Sequence, residues 1–291
     1  MRALPTFDDL KGILLDDSAC FDFLVEQQVL SLQRHCVCGR VLSYKPERRG
    51  FRCSSRMCRK ETSIFVGTFF HRSVLSLSKI MHLAYIWLCK GPVTFAITYA
   101  GHSSETVCAY YSYFRQLVSD SLDQEDYQIG GPGIVVELDE SKFGKRKQHR
   151  GHHVEGVWVL GGVERTRERK LFMVTVADRS AETLELEILR HVLPGSIVVT
   201  DLWKGYSQLW AKFGFDHLTV NHSENFVDPE TLACTNTIEG TWAGVKIAIP
   251  RRNRVRKDFE EHLFEYIWRR KNGLALWEGF VQALRDVVYT E

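Results

Sequence analysis

The stretch "GIVVELDESKFGKRK", residues 133–147, decides how the rest of the chain is read. Ile134, Val135 and Val136 open it as a buried strand. Glu137, Asp139 and Glu140 then place three acids in four positions, and Lys142, Lys145, Arg146 and Lys147 follow at once. Strand side chains alternate between faces. Ile134, Val136 and Leu138 therefore share one face, expected in the core, and Glu137 and Asp139 share the other. A strand that ends in negative charge with positive charge just beyond asks for a cation and an anionic partner.

The chain has 291 residues, enough for one large domain and one or two small ones. At 44% hydrophobic and 25% charged residues it has the composition of an ordinary globular protein. The net charge of +2 says little by itself. Its distribution says more, because basic residues gather in 48–60, 142–150 and 250–257, a pattern that suits a polyanion. No apolar run is long enough to span a bilayer. The N-terminal stretch lacks the apolar core of a secretion signal. Eight cysteines without such a signal predict thiols or bound metal rather than a disulfide framework, and an intracellular protein.

Outward from the opening strand, the pattern is α/β. Residues 134–140, 154–164 and 170–178 predict three strands, close enough in sequence for an antiparallel meander. A helix over 180–193 ends at Pro194-Gly195, and a strand over 196–201 ends in Asp201. A helix over 202–214, a strand over 216–220, an irregular excursion over 220–234 and a helix over 235–249 follow. Asp258 and Glu261 form a capping-box pattern for a helix over 258–273, and a last helix is expected over 274–289. This is the element order of the ribonuclease-H-like fold, a mixed five-stranded sheet with flanking helices. Upstream, Ser18 is expected to cap a short helix through about Leu30, with Phe21, Val25, Val29 and Leu32 on one side. Helices over 76–90, 93–100 and 103–118, with Gly101 at the turn, have helix-turn-helix spacing. The expected divisions are an N-terminal helical segment (1–34), a small metal-stapled module (35–72), the helix-turn-helix region (73–120), a linker (121–133) and the catalytic domain with its C-terminal helices (134–291).

Asp139 and Asp201 end strands that this order makes neighbours. Two carboxylates that close do not both stay ionised unless a cation holds them. Oxygen donors suit a hard divalent ion such as Mg²⁺ or Mn²⁺. Glu239, one residue off the apolar stripe of its helix, is the candidate third acid. Two metals about 4 Å apart suit phosphoryl transfer on nucleic acid. The basic runs after Asp139 and after Glu239 are placed to hold its backbone.

Cys36, Cys38, Cys53 and Cys58 form two knuckles that suit a tetrahedral Zn²⁺ site, a zinc ribbon. His35, three residues before Cys38, is an alternative to Cys36 as first ligand. Cys20, Cys89, Cys108 and Cys234 are scattered and read as small buried apolar residues.

The stretches "FRCSSRMCRKETSIFVGTFF", "VELDESKFGKRK", "HHVEGVWVLGGVER", "VVTDLWKGY" and "VNHSENFVDPETLACTNTIEGTWAGVK", in this order, resemble the Merlin superfamily of cut-and-paste DNA transposases and their bacterial insertion-sequence relatives. The resemblance implies a DDE triad of Asp139, Asp201 and Glu239, and an N-terminal zinc ribbon and helix-turn-helix region that recognise the element's ends. His222, Asn236 and Lys246 match family motif positions. Together with Lys145, Arg146, Lys147, Arg251, Arg252 and Arg254 they are the expected contacts to double-stranded DNA. Cutting two ends in one event implies a homodimer or larger assembly on DNA. A domesticated DNA-binding protein and a metal-dependent nuclease without strand transfer are the rival expectations. The location expected is the nucleus in a eukaryotic host and the cytoplasm otherwise.

Overall fold

In a computed structural model of the chain, the described residues are 4–144, 156–201, 215–220, 234–250, 253–254 and 256–289, with backbone alone at 256–258. The chain divides into two compact units, Met1–Ser121 with Asn272–Glu291, and Leu122–Lys271.

In the first unit, α1 (Phe7–Leu15) starts at a capping box in which Thr6 and Asp9 satisfy each other's backbone amides. The next helix, α2 (Asp17–Glu26), is capped by Asp16, whose carboxylate accepts from the Ala19 amide at 2.7 Å, and not by Ser18. An acid one residue into an otherwise regular helix explains the correction: Ser18 is already inside the turn. Helix α2 buries Cys20 and Leu24, while Leu32 is exposed. Three strands of three residues each, β1 (Ser43–Lys45), β2 (Gly50–Arg52) and β3 (Glu61–Ser63), form an antiparallel sheet.

Helix α3 (Leu77–Leu88) ends before Gly91-Pro92, and α4 (Val93–Ala100) ends on Gly101, which adopts φ 70°. Ser103 caps α5 (Ser104–Asp120), its hydroxyl accepting from the Thr106 amide. The last helix, α9 (Leu276–Asp286), packs on α3 and α5 rather than with the second unit. Its Phe280 meets the fully buried Phe114 edge-on at 5.5 Å, within an aromatic cluster that includes Phe69, Trp87 and Tyr110. Burying a phenylalanine fully is worth about 1.5–3 kcal/mol, so Phe114 and Phe280 are a sufficient reason for this docking.

The second unit is built on one mixed sheet. Its strands are β5 (Val135–Phe143), β6 (Val157–Glu164), β7 (Leu171–Val176), β9 (Ile197–Asp201) and β10 (Asp216–Val220), in the order β10-β9-β5-β6-β7. β5, β6 and β7 are the antiparallel meander; β9 runs parallel to β5, and β10 parallel to β9. The segment expected as a linker contributes instead to this unit. Its Ile129 is buried, and β4 (Ile129–Gly130) pairs with β8 (Val192–Leu193).

The sheet's alternation decides what lies on each face. Val136, Leu138, Leu160, Phe172 and Val198 pack with Leu184 and Ile188 of α6 (Ala181–His191). Val159, Leu171 and Met173 pack on the other side with Ile238, Trp242 and Val245 of α7 (Asn236–Ala248) and with Phe259, Leu263 and Ile267 of α8 (Arg256–Lys271). Helix α8 begins two residues before Asp258, so that residue lies inside the helix and is not its cap. The helix expected over 202–214 and the excursion at 221–233 lie outside the described residues.

Candidate active site and cysteine cluster

Strands β5 and β9 pair as Val135 with Ile197, Val136 with Val198 and Glu137 with Val199. Continued two residues further, the same register brings Asp139 level with Asp201. By the two-residue period both share the face of Glu137 and Val199, the face on which α7 packs over β5 and β6. Helix α7 carries Glu239 in its first turn. By register Asp139 and Asp201 thus take one face of the sheet, and Glu239 stands on α7, the helix that packs on β5 and β6.

Asp139 is held by two hydrogen bonds. Its Oδ2 accepts from the Trp242 indole Nε1 at 2.9 Å, and its Oδ1 from the Glu140 amide at 2.8 Å. Burial pushes its carboxyl up from 3.8 to about 6; those two hydrogen bonds oppose the shift, and the charges of Asp201 and Glu239 add to it. Asp139 therefore feels the charge of both other acids. Carboxylate oxygens suit a hard divalent cation such as Mg²⁺ or Mn²⁺; among the described residues, the group whose ligand atoms lie close enough together to hold a metal ion is the four cysteines. Glu239 itself is exposed, and its Oε1 accepts from Thr235 Oγ1 at 3.1 Å.

From the sequence Trp242 is expected only on the apolar stripe of its helix, with Ile238 and Val245, and Gly161 is not singled out. Gly161 pairs with Asp139 across β5 and β6, and a Cβ there would stand 2.7 Å from the Trp242 ring. The missing side chain is what lets the indole come this close to β6 and reach the carboxylate. Its neighbour Gly162 opens the opposite face for Phe172. The paired glycines of "VLGGVE", in a strand buried on both sides, are the signal that could have revealed this.

Glu140 points to the face opposite Asp139. Arg179 Nη2 lies 2.8 Å from its Oε2, and Arg179 and Lys142 both sit over the Trp158 ring. Burial pushes the Glu140 carboxyl up to about 7 against the pull of Arg179. Glu137 is completely buried and accepts hydrogen bonds from Arg165 and from two α7 amides.

In the first unit, the ligand atoms of Cys36, Cys38, Cys53 and Cys58 all lie within 4.8 Å of one another, and His35 is not among them. The Cys36–Cys58 and Cys38–Cys53 sulfurs are each 3.5 Å apart. Tetrahedral zinc with bonds of about 2.3 Å separates its sulfurs by about 3.8 Å, so the cluster can hold Zn²⁺. The Cys38 amide, with help from the neighbouring thiols, lowers the Cys36 thiol to about 7. The Cys53 thiol has the Ser55 amide in its favour, yet burial and the other three thiols push it up to about 12. Thiol ligands bind zinc as thiolates, so metal binding there would release protons. Cys20 is buried as expected; Cys234 is half-buried, and Cys89 and Cys108 are exposed, at the end of α3 and on the outer face of α5.

Of the expected DNA contacts, Asn236 and Lys246 are exposed on α7. Arg254 turns back on the end of that helix, its Nε donating to the Ile249 carbonyl at 2.8 Å and its Nη2 to that of Lys246 at 2.5 Å. Lys145, Arg146, Lys147, His222, Arg251 and Arg252 lie outside the described residues. Among the described residues no helix is long and apolar enough to cross a membrane.

Residues 124–269, just over half of the chain, match the family model of the ISXO2-like transposase domain, and the chain belongs to that family of transposases. The match coincides with the second unit, 122–271, to within two residues at each end. An uncharacterized transposase-like protein of Haemophilus influenzae is 33% identical over 104 residues, which cover 35% of this chain and 82% of that protein.

Proposed function

We propose that the protein is a DNA transposase of the Merlin type. On this reading it binds terminal inverted repeats, cleaves DNA at the element's ends with a divalent metal, and joins the freed ends to target DNA. The observation that carries the proposal is the parallel pairing of β5 with β9, whose register, continued two residues beyond Glu137 and Val199, sets Asp139 level with Asp201, with Glu239 on the helix that packs on β5. The strand order β10-β9-β5-β6-β7 supports a ribonuclease-H-like reading of the second unit.

Asp139, Asp201 and Glu239 would hold Mg²⁺ or Mn²⁺. When bound, the metals would supply activation of the attacking oxygen and charge neutralisation at the leaving one. The chain's own residues do the positioning. Trp242 fixes one Asp139 oxygen and leaves the carboxylate in a single orientation. Lys246 on α7, with Asn236 and the basic runs at 145–147 and 251–252, would carry the phosphate backbone past the acids. In cleavage, water oxygen bonds to phosphorus and the DNA 3′-oxygen leaves with a proton. In joining, that 3′-oxygen bonds to a target phosphorus and displaces the target's own 3′-oxygen.

The cysteine cluster would hold Zn²⁺ and fold the ribbon, which with α3–α5 would recognise the ends. The partner is double-stranded DNA, and the assembly on paired ends is a homodimer or larger. The location is nuclear if the host is a eukaryote.

The test is nicking and joining of a duplex carrying the sequence that flanks the gene, with Mg²⁺ or Mn²⁺. Wild-type protein is expected to nick it and join it to a target plasmid, and Asp201→Asn to lose both. Full activity in Asp201→Asn would sink the assignment. Efficient cutting without joining would favour a nuclease.

A further inference from the structure

Glu137 is a carboxylate with no exposed surface, two residues before Asp139 on the same strand and face. Its two oxygens have separate duties. Oε1 accepts from Arg165 Nε at 2.6 Å. Oε2 accepts from the backbone amides of Thr237 and Ile238 at 2.8 and 2.9 Å. Those amides belong to the first turn of α7, where a helix has no internal acceptors for its N–H groups. The helix's own cap residue, Thr235, makes no side-chain cap, because its hydroxyl is turned to Glu239. The cap comes instead from a strand 100 residues away in sequence.

Arg165 completes the fixture. Its amide donates to the Val135 carbonyl at 2.8 Å, which ties it to β5. Its Nη2 donates to the Cys234 carbonyl and lies 3.0 Å from the Cys234 sulfur, just ahead of α7. One turn into the helix, Trp242 makes the second tie, to Asp139. Glu239 lies between the two ties, at 237–238 and at 242.

We propose that Glu137 is a positioning residue. Held by Arg165, it caps α7 from the strand that carries Asp139 and so sets the distance and angle at which Glu239 faces Asp139 and Asp201. The inference rests on the reading of those three acids as one metal site. It assigns Glu137 no contact with metal or DNA.

The test is Mn²⁺ binding by the full chain without DNA, followed by the electron paramagnetic resonance of free Mn²⁺, with amide exchange at 237–239 measured alongside. In Glu137→Gln the side chain keeps its size but loses its charge and has one acceptor oxygen for two duties, so its amide NH2 must face either Arg165 or the α7 amides, and any bond left to those amides comes from a neutral carbonyl, a weaker acceptor than the carboxylate. The folded variant is expected to exchange faster at Thr237 and Ile238 and to bind Mn²⁺ about 10–100-fold more weakly, the usual cost of a lost supporting contact. In a Glu239→Gln background the same substitution is expected to cost nothing further in affinity, since the ligand it positions is already gone. A merely structural role would give equal losses in both backgrounds and would overturn the proposal. If Glu137→Gln fails to fold, Arg165→Lys decides. It keeps the charge and gives up the second arm to Cys234, so weaker Mn²⁺ binding supports the proposal and unchanged binding overturns it. Wild-type protein that binds no Mn²⁺ overturns the metal site itself, whereas wild-type binding retained in folded Glu137→Gln overturns the positioning role alone.

Discussion

Asp139 is pulled in two directions. Burial and the charges of Asp201 and Glu239 favour its neutral form, while the Trp242 indole and the Glu140 amide favour the anion. The neutral form wins up to about pH 6. A carboxyl raised in this way stabilises the folded, metal-free chain fully below its ordinary value of 3.8 and loses that contribution as pH rises through about 6. The denaturant midpoint of the metal-free protein is therefore expected to carry a fall between pH 4 and pH 7 that is smaller in Asp139→Asn. Mn²⁺, which binds the ionised form, is expected to oppose the fall in wild type. Equal pH profiles for wild type and Asp139→Asn would contradict the environment described for this residue. Glu137 follows a different logic. Breaking one side of a buried ion pair costs about 3–5 kcal/mol because the other charge is stranded. Asp17 repeats the device in the first unit, accepting from Arg49 at 2.8 Å and from the Ser78 amide at the start of α3 at 3.2 Å.

Among the elements, β6 carries a requirement that no propensity expresses. Gly161 must lack a side chain for Trp242 of α7 to reach Asp139 of β5. Gly161→Ala is expected to displace the indole and cost about 1–3 kcal/mol of stability, the usual penalty of overpacking, read from denaturant unfolding. A variant as stable as wild type would show that the contact is dispensable. The meander, α4, α5 and α7 were legible in sequence because period and stop signals agreed, as at Gly101 and Ser103. The side-chain parity of β5 was legible too, with Val136 and Leu138 on one face and Asp139 on the other. Helix α1 was not, since nine residues give a weak apolar stripe and its Thr6–Asp9 box stands alone. The ribbon strands, three residues each, are too short for any period. Amphipathicity in α9 shows that one face is buried but not against which partner. Glu137 was legible as an acid beside the site, while its task depends on amides 100 and 101 residues away.

At the scale of the molecule, the two units divide the chemistry. The cysteine cluster lies in the first and the three acids in the second, which is also the part that matches the transposase domain. The central claim is that Asp139, Asp201 and Glu239 form a single site. Mn²⁺ titration of the wild-type chain and of Asp139→Asn, Asp201→Asn and Glu239→Gln, each shown to be folded, tests it most directly. The account predicts that wild type binds Mn²⁺ and that each substitution alone weakens binding, with the two aspartates mattering most. Wild-type affinity in any folded aspartate variant would contradict it.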